Sequence, residues 1–177
     1  RNENAGSSDR NIWVVEKEGK VWSEPKPLDD IINSDQSESV LSISKQGTLY
    51  FRQGMEMFSS KQKDGVFQTP VKLDIPLNTG MRILALFIAP DESYMIMESF
   101  GGGDYGGADL YICYKLKDGS WSEPVNLGPK INTGATERFP SVTPDGKYLF
   151  FLRVSGGSDF CWVEAKIIED LKPKELK

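Results

Sequence analysis

The stretch "WSEPVNLG", from Trp121 to Gly128, decides the fold because the chain contains it more than once. A near copy, "WSEPKPLD", runs from Trp22 to Asp29, and a looser copy, "FQTPVKL", runs from Phe67 to Leu73. The copies align on their prolines, which are Pro25, Pro70 and Pro124. These prolines are 45 and 54 residues apart, and a phrase that recurs at such a period is typical of a repeat fold.

Further elements repeat in step with this phrase. An apolar strand, a turn and an aromatic-rich strand occur together as "SISKQGTLYF" (42–51), "FIAPDESYMIM" (87–97) and "SVTPDGKYLFF" (141–151). An acid followed by alternating apolar residues occurs at Glu56, Asp109 and Asp159, with Asn11 in the same place in "NIWVV". An asparagine follows each proline at a fixed distance, at Asn33, Asn78 and Asn132. Each unit is therefore predicted to form four short strands.

The turns and the period favour β-propeller blades. Asp64-Gly65 and Asp118-Gly119 lie between the third and fourth predicted strands and are strong hairpin signals. Four-stranded units at a period of 45–54 residues are typical of propellers. A β-sandwich or a β-solenoid is the alternative, but a sandwich does not require its strands to repeat in this order. We predict an all-β fold of four-stranded antiparallel propeller blades.

The repeat also sets boundaries. We predict one propeller domain, or the C-terminal portion of one, over residues 1–177. Its parts are a partial blade at 11–28, blades at 38–73 and 83–127, a partial blade at 139–165 and a helical tail at 166–177. These 13 strands make about three blades, whereas closed propellers have about four to eight. Since the chain also begins without Met, we expect upstream blades or a second chain to complete a six-bladed or similar ring.

Composition excludes several chemistries. The sequence contains no histidine, so neither a Ser-His-Asp triad nor a histidine-based zinc site can be built. The net charge of −5 argues against a nucleic-acid partner, and no apolar run is long enough to span a bilayer. The two cysteines, Cys113 and Cys161, are predicted to be free thiols. We predict no cofactor and no metal site, because Asp104 with Asp109 offers too few ligands for calcium.

The repeated residues have structural interpretations. The acids at Glu56, Asp109 and Asp159 are expected to accept hydrogen bonds from turn amides. Trp22 and Trp121 are expected to begin the outermost strand of a blade and to cover its edge. Proline suits an edge strand, where its missing N–H costs no ladder bond.

The C-terminal motifs resemble those of a known family. "SVTPDGKYLFF" followed by "SDFCWV" resembles the WD40-like repeat of TolB-type propellers, and the resemblance covers residues 11–173. The chain departs from that pattern at Gln46-Gly47 and Asp91-Glu92, which replace the Asp-Gly turn, and at Phe160-Cys161, where Ile-Tyr is usual. The resemblance implies an exported bacterial protein, periplasmic or extracellular, whose repeats serve as an interaction surface.

In a propeller, the blade-to-blade links and the inner hairpin links fall on the same face. The links concerned are 33–39, 78–82, 99–107, 132–138 and 153–159. They are expected to bring six residues around one rim: Arg82, Asp104, Tyr105, Glu137, Arg138 and Arg153. Such a mixed rim suits recognition of a protein or a glycan. The Gly-rich loop within 99–107 lacks the phosphate-loop pattern and is predicted to be a flexible hairpin link.

Three functions stay open on this basis. The first is a binding module that presents one loop face to a protein or glycan partner. The second is a propeller hydrolase acting on glycans, which needs paired carboxylates, whereas the inner strands carry only Glu38 and, at a link, Glu137. The third is a structural segment with no ligand of its own.

Overall fold

The computed structural model describes residues 10–76, 81–102 and 105–176, and these residues are mostly β-strand. The strands are β1 (Trp13–Val14), β2 (Lys17–Glu18), β3 (Val21–Trp22), β4 (Lys26–Pro27), β5 (Glu38–Ile43), β6 (Leu49–Gln53), β7 (Glu56–Ser60), β8 (Gln62–Lys63), β9 (Val66–Phe67), β10 (Val71–Lys72), β11 (Arg82–Ile88), β12 (Tyr94–Phe100), β13 (Ala108–Tyr114), β14 (Val125–Asn126), β15 (Thr136–Val142), β16 (Tyr148–Val154) and β17 (Ser158–Glu164). One short helix, α1 (Lys166–Asp170), and a 3-10 turn, Lys174–Leu176, follow. The chain divides into two compact units, residues 1–73 and 74–177.

The unit of residues 1–73 holds two antiparallel sheets. In the first sheet β1 pairs with β4, and in the second sheet the strand order is β10-β7-β6-β5. Two short hairpins, β2–β3 and β8–β9, extend the connections between the third and fourth strands. Ile12 of the first sheet shares a buried core with Leu49 and Phe51 of the second, and Ile32 from the link completes it. The alternate apolar residues Leu49 and Phe51 of β6, packed against Ile12 just before β1, therefore hold the unit together.

The unit of residues 74–177 holds the other two sheets. The third sheet has the order β11-β12-β13-β14, and the fourth has the order β15-β16-β17. A buried core that includes Ile96, Leu110 and Ile112 of the third sheet joins Leu149 and Phe151 of the fourth. The helix α1 closes one end of this core.

The helical tail is confirmed and is fastened by a tyrosine. One side of the tail packs against the core, since Ile168 is buried and Ile167 and Leu171 contact the core. The hydroxyl of Tyr114 donates a hydrogen bond of 2.6 Å to the carbonyl oxygen of Ile168. Burial raises the pKa of this phenol, so it stays protonated and able to donate at physiological pH. The described helices are too short to cross a membrane.

The fold class predicted from the repeat is confirmed. The sheets are antiparallel, and the 13 predicted strands are present as β1, β4 to β7 and β10 to β17. The two short hairpins add four strands that the repeat did not predict. They form because Gly19 and Gly65 adopt positive φ angles of 64° and 81°, which tight two-residue turns require. That the two units belong to one propeller domain stays a prediction.

The prediction for the tryptophans is half wrong. The outermost strands β4, β10 and β14 begin only after Pro25, Pro70 and Pro124, which lie in unpaired gaps. Trp22 belongs instead to the hairpin strand β3 and is 62% exposed. Trp121 bridges to Lys115 and is buried at 6% exposure, with the Lys115 ammonium 4.2 Å from its ring centre. The packing role therefore holds for Trp121 and fails for Trp22.

Both cysteines are free thiols, as predicted. Cys113 is fully buried in β13, and burial raises its pKa to about 12. Cys161 is only partly buried in β17. At neutral pH an aromatic disulfide reagent should therefore modify Cys161 readily and Cys113 only on unfolding, because the thiolate is the reactive form. Two thiols in denaturant and one in the native protein are expected, and none in denatured monomer would contradict this prediction.

Candidate functional site

The candidate site lies at one end of the third and fourth sheets, where residues 105–107 of the Gly-rich loop contact the link 132–138 between the two sheets. The amide of Gly107 donates a 2.9 Å hydrogen bond to the carbonyl oxygen of Ala135. A Cβ placed on Gly106 would lie 2.7 Å from the carbonyl oxygens of Thr133 and Ala135. The glycine is needed here because two backbones approach too closely for a side chain. This contact places Tyr105 beside the start of β15.

Glu137, the second residue of β15, is buried beneath this link with 0% exposure. Its carboxylate accepts hydrogen bonds from the Thr133 hydroxyl at 2.7 Å and from the Thr133 amide at 3.1 Å. Arg153 of β16 donates from Nε to the same carboxylate at 2.9 Å and from Nη2 to the Ile131 carbonyl oxygen at 2.7 Å. Glu137 thus fixes both the turn of the link and the guanidinium of Arg153.

Glu98 of β12 forms a second buried pair, also with 0% exposure. Its Oε1 accepts a 2.8 Å hydrogen bond from Nε of Arg138, which lies 40 residues further along the chain in β15. Its Oε2 accepts a 3.3 Å hydrogen bond from the amide of Phe139. One carboxylate of the third sheet therefore holds the bulged segment of the fourth.

Phe139 is held in an unusual conformation at this bulge. Its φ angle of 51° is left-handed, which a bulky residue rarely adopts. The β15–β16 register shifts between Arg138 and Ser141, so the strand is bulged and bends there. The ring of Phe139 is 56% exposed, and the Arg138 guanidinium carbon lies 4.7 Å from its centre. The bulge therefore presents a stacked arginine and aromatic ring to solvent.

Four of the predicted site residues lie together in this part of the structure. Tyr105, Glu137, Arg138 and Arg153 all belong to the glycine loop, the link and the paired ends of β15 and β16. Arg82 begins β11 and lies opposite Phe100, itself 53% exposed, in the third sheet. Asp104 lies outside the described residues. Glu137, predicted as a rim group, is buried and structural, whereas Tyr105 is 42% exposed.

Sequence reasoning missed Glu98 and Phe139. The available signal for Glu98 was one acid in the otherwise apolar strand "YMIMESF" (94–100), which marks a buried charge that needs a partner. Phe139 gave no such signal, because a positive φ is not expected for Phe. We refer below to Arg138, Phe139, Phe100, Tyr105 and Arg82 as the rim.

The repeated acids behave as predicted at one position of the three. Asp109 is buried and accepts a 3.2 Å hydrogen bond from the amide of Tyr105, as expected for an acid that binds a turn. Glu56 pairs with Lys72 on an exposed surface instead. Asp159 is exposed in β17, opposite Arg153.

The same acid–turn arrangement recurs in the unit of residues 1–73. Glu38 is buried at 2% exposure and accepts a 2.7 Å hydrogen bond from the Ser34 hydroxyl, as Glu137 does from Thr133. Gln53 lies opposite Glu38 in the ladder, where the fourth sheet has Arg153. Oε2 of Glu38 is buried without a hydrogen-bond partner. The buried acid is therefore part of the repeat, whereas its arginine partner, Arg153, is present in the fourth sheet and replaced by Gln53 in the second.

Within the described ranges, no group of three or more acids and cysteines is placed to hold a metal ion. Comparison with protein-family models found no match to this chain. Comparison with curated proteins found no significant match either. The geometry of the rim therefore carries the functional inference.

Proposed function

We propose that the chain is a binding module of the bacterial cell envelope, periplasmic or extracellular, whose rim recognises a protein or glycan partner. The observation that carries the proposal is the Arg138–Phe139 pair, exposed and fixed by Glu98. An aromatic ring offers apolar area at little entropic cost, and an arginine beside it adds directional donors. Both are enriched at the energetic centres of protein interfaces.

Preorganisation supports binding at this position. Arg138 is held through Nε, so the guanidinium keeps its orientation over the ring. Phe139 is held by its amide and by the bulge rather than by packing of its side chain. The side chains of this surface are therefore already ordered before a partner binds, so binding costs less conformational entropy.

The glycan-hydrolase alternative is less well supported. A general acid or nucleophile must reach the substrate with a free carboxyl group. Glu98 and Glu137 are fully buried, and their carboxylates accept hydrogen bonds from arginines and backbone amides. Glu98 holds Arg138 and Phe139 in place, and Glu137 holds Thr133 and Arg153. The structural-segment alternative does not account for a strained aromatic residue held in solvent.

Phe139→Gly tests the proposal without disturbing the fold. Glycine adopts φ near 51° freely, so we expect the unfolding free energy to stay within about 1 kcal/mol of the parent or to rise. Loss of the ring should weaken binding at least about tenfold, as for a central aromatic contact. Binding is measured on arrays of oligosaccharides and of peptides, followed by titration of the strongest hit.

Asp64→Gly is the matched control. Asp64 also has a φ of 51°, but it lies in the turn of the β8–β9 hairpin. The Asp64→Gly variant should show the same change in unfolding free energy as Phe139→Gly and should bind like the parent. Equal binding by the parent and Phe139→Gly on every hit would refute the role of the rim.

A further inference from the structure

The outer side of the fourth sheet is an exposed aromatic surface. Phe160 is 87% exposed, Trp162 59%, Phe150 40% and Tyr148 38%. Phe150 lies directly opposite Trp162 in the ladder, and the rings of Tyr148 and Trp162 meet edge to face at 5.1 Å. These four residues, which we call the tail face, form one continuous patch. Contiguous aromatic area of this kind marks an interaction surface.

The repeat shows what this face is shaped to contact. In the third sheet Ile96 lies opposite Ile112, the same register positions that Phe150 and Trp162 occupy in the fourth. Ile96 and Ile112 have 0% exposure, because they pack against Leu149 and other apolar residues of the fourth sheet. The tail face is therefore the face with which one sheet covers the next.

The first sheet exposes the other side, the one that in the fourth sheet packs against the preceding sheet. Asn33 binds the backbone of Ile12 just as Asn132 binds that of Leu110, which aligns β1 with β13. By this register Trp13 and Val15 correspond to Cys161 and Val163 of the fourth sheet.

The exposures of the corresponding residues differ between the two sheets. Cys161 and Val163 pack against the core that joins the third and fourth sheets. Trp13 and Val15, which we call the head face, are 51% and 46% exposed.

We propose that the chain associates head to tail with a second copy of itself, the tail face of one copy packing on the head face of the other. Two pairings of this kind already exist within the chain, the first sheet on the second and the third on the fourth. The second copy therefore carries the surface that each exposed face is shaped to contact. Because the two faces differ, the contact is heterologous and builds a ring or an open chain of copies.

Single-face variants test this contact. In sedimentation over a range of concentrations, the parent should form species of at least twice its 19.8 kDa mass. Trp162→Glu removes the tail face and Trp13→Glu removes the head face, and each alone should be a monomer. Mixed together, they should form a one-to-one dimer, since each retains the face that the other lacks. Val66→Glu, at a 53% exposed position in the β8–β9 hairpin, is the control and should assemble like the parent.

Three results would overturn the proposal. The parent could stay monomeric at every concentration, which would leave the faces to another partner. Trp13→Glu alone could still dimerise, which would mean a symmetric tail-to-tail contact. The mixture could fail to associate although circular dichroism shows both variants folded. Since the rim is not altered, binding of the rim ligand is expected to persist in both variants and reports separately on the proposed function.

Discussion

Replacing Arg153 with Met should lower the free energy of unfolding of residues 74–177 by about 3–5 kcal/mol. The substitution keeps most of the apolar length of the side chain and removes the guanidinium. Glu137, fully buried, would then be left with the Thr133 hydroxyl and amide as its donors. The carbonyl oxygen of Ile131 would also lose the Nη2 donor at 2.7 Å. Urea unfolding followed by hydrogen exchange on peptides from this unit measures the loss.

Two comparison variants separate a buried charge from general damage. Adding Glu137→Gln to Arg153→Met should recover part of the stability, because no unpaired charge is left, and the double-mutant cycle should show strong coupling. Gln53→Met makes a similar change at the equivalent position of the second sheet, where the side chain opposite Glu38 is a neutral amide and forms no ion pair. It should cost less than about 1 kcal/mol, as expected away from buried networks. A loss for Arg153→Met no larger than that would contradict the prediction.

The repeat predicted the sheets because strand pairing depends on local patterns. Alternating apolar residues and glycine turns recur in each unit, so register and order follow from short segments. The contacts that orient the rim residues join positions far apart in sequence, such as Arg138 and Glu98, which are 40 residues apart. No local pattern predicts that Glu137, expected at an exposed rim, is buried and accepts a hydrogen bond from an arginine. The residues of the rim were therefore predictable in part, and their roles were not.

Trp22 and Trp121 show the same limit within one repeated phrase. Both begin "WSEP", yet they differ in exposure by more than half of the side chain, at 62% and 6%. The Lys17 ammonium is 5.9 Å from the ring centre of Trp22, whereas Lys115 lies 4.2 Å from that of Trp121. The local sequence sets the hairpin, and tertiary surroundings set the burial.

The sequence repeat places an asparagine at the same position in each unit, but it does not indicate what the asparagine does. Asn132 is 1% exposed; its Oδ1 accepts a 2.9 Å hydrogen bond from the Leu110 amide, and its Nδ2 donates 2.8 Å to the Leu110 carbonyl oxygen. Asn33 makes the same two bonds to Ile12, at 2.8 and 3.0 Å. Asn78, the third copy, lies outside the described residues. The side-chain amide pairs with both the backbone N–H and the carbonyl oxygen of one residue, as a neighbouring strand would.

Asn132→Ala should therefore destabilise residues 74–177 by about 1–3 kcal/mol, the cost of leaving a buried amide without an acceptor. The Leu110 carbonyl oxygen keeps the Leu127 amide at 3.0 Å, so the orphaned group is the Leu110 N–H. Hydrogen exchange at the Leu110 amide should accelerate more than the global loss alone explains, because local opening then gains a bond to water. Asn33→Ala should act in the same way on the Ile12 amide and leave that of Leu110 protected, which makes each variant the control for the other. Unchanged exchange at Leu110 in Asn132→Ala would show that the strand does not depend on the asparagine, since its amide would have found another acceptor.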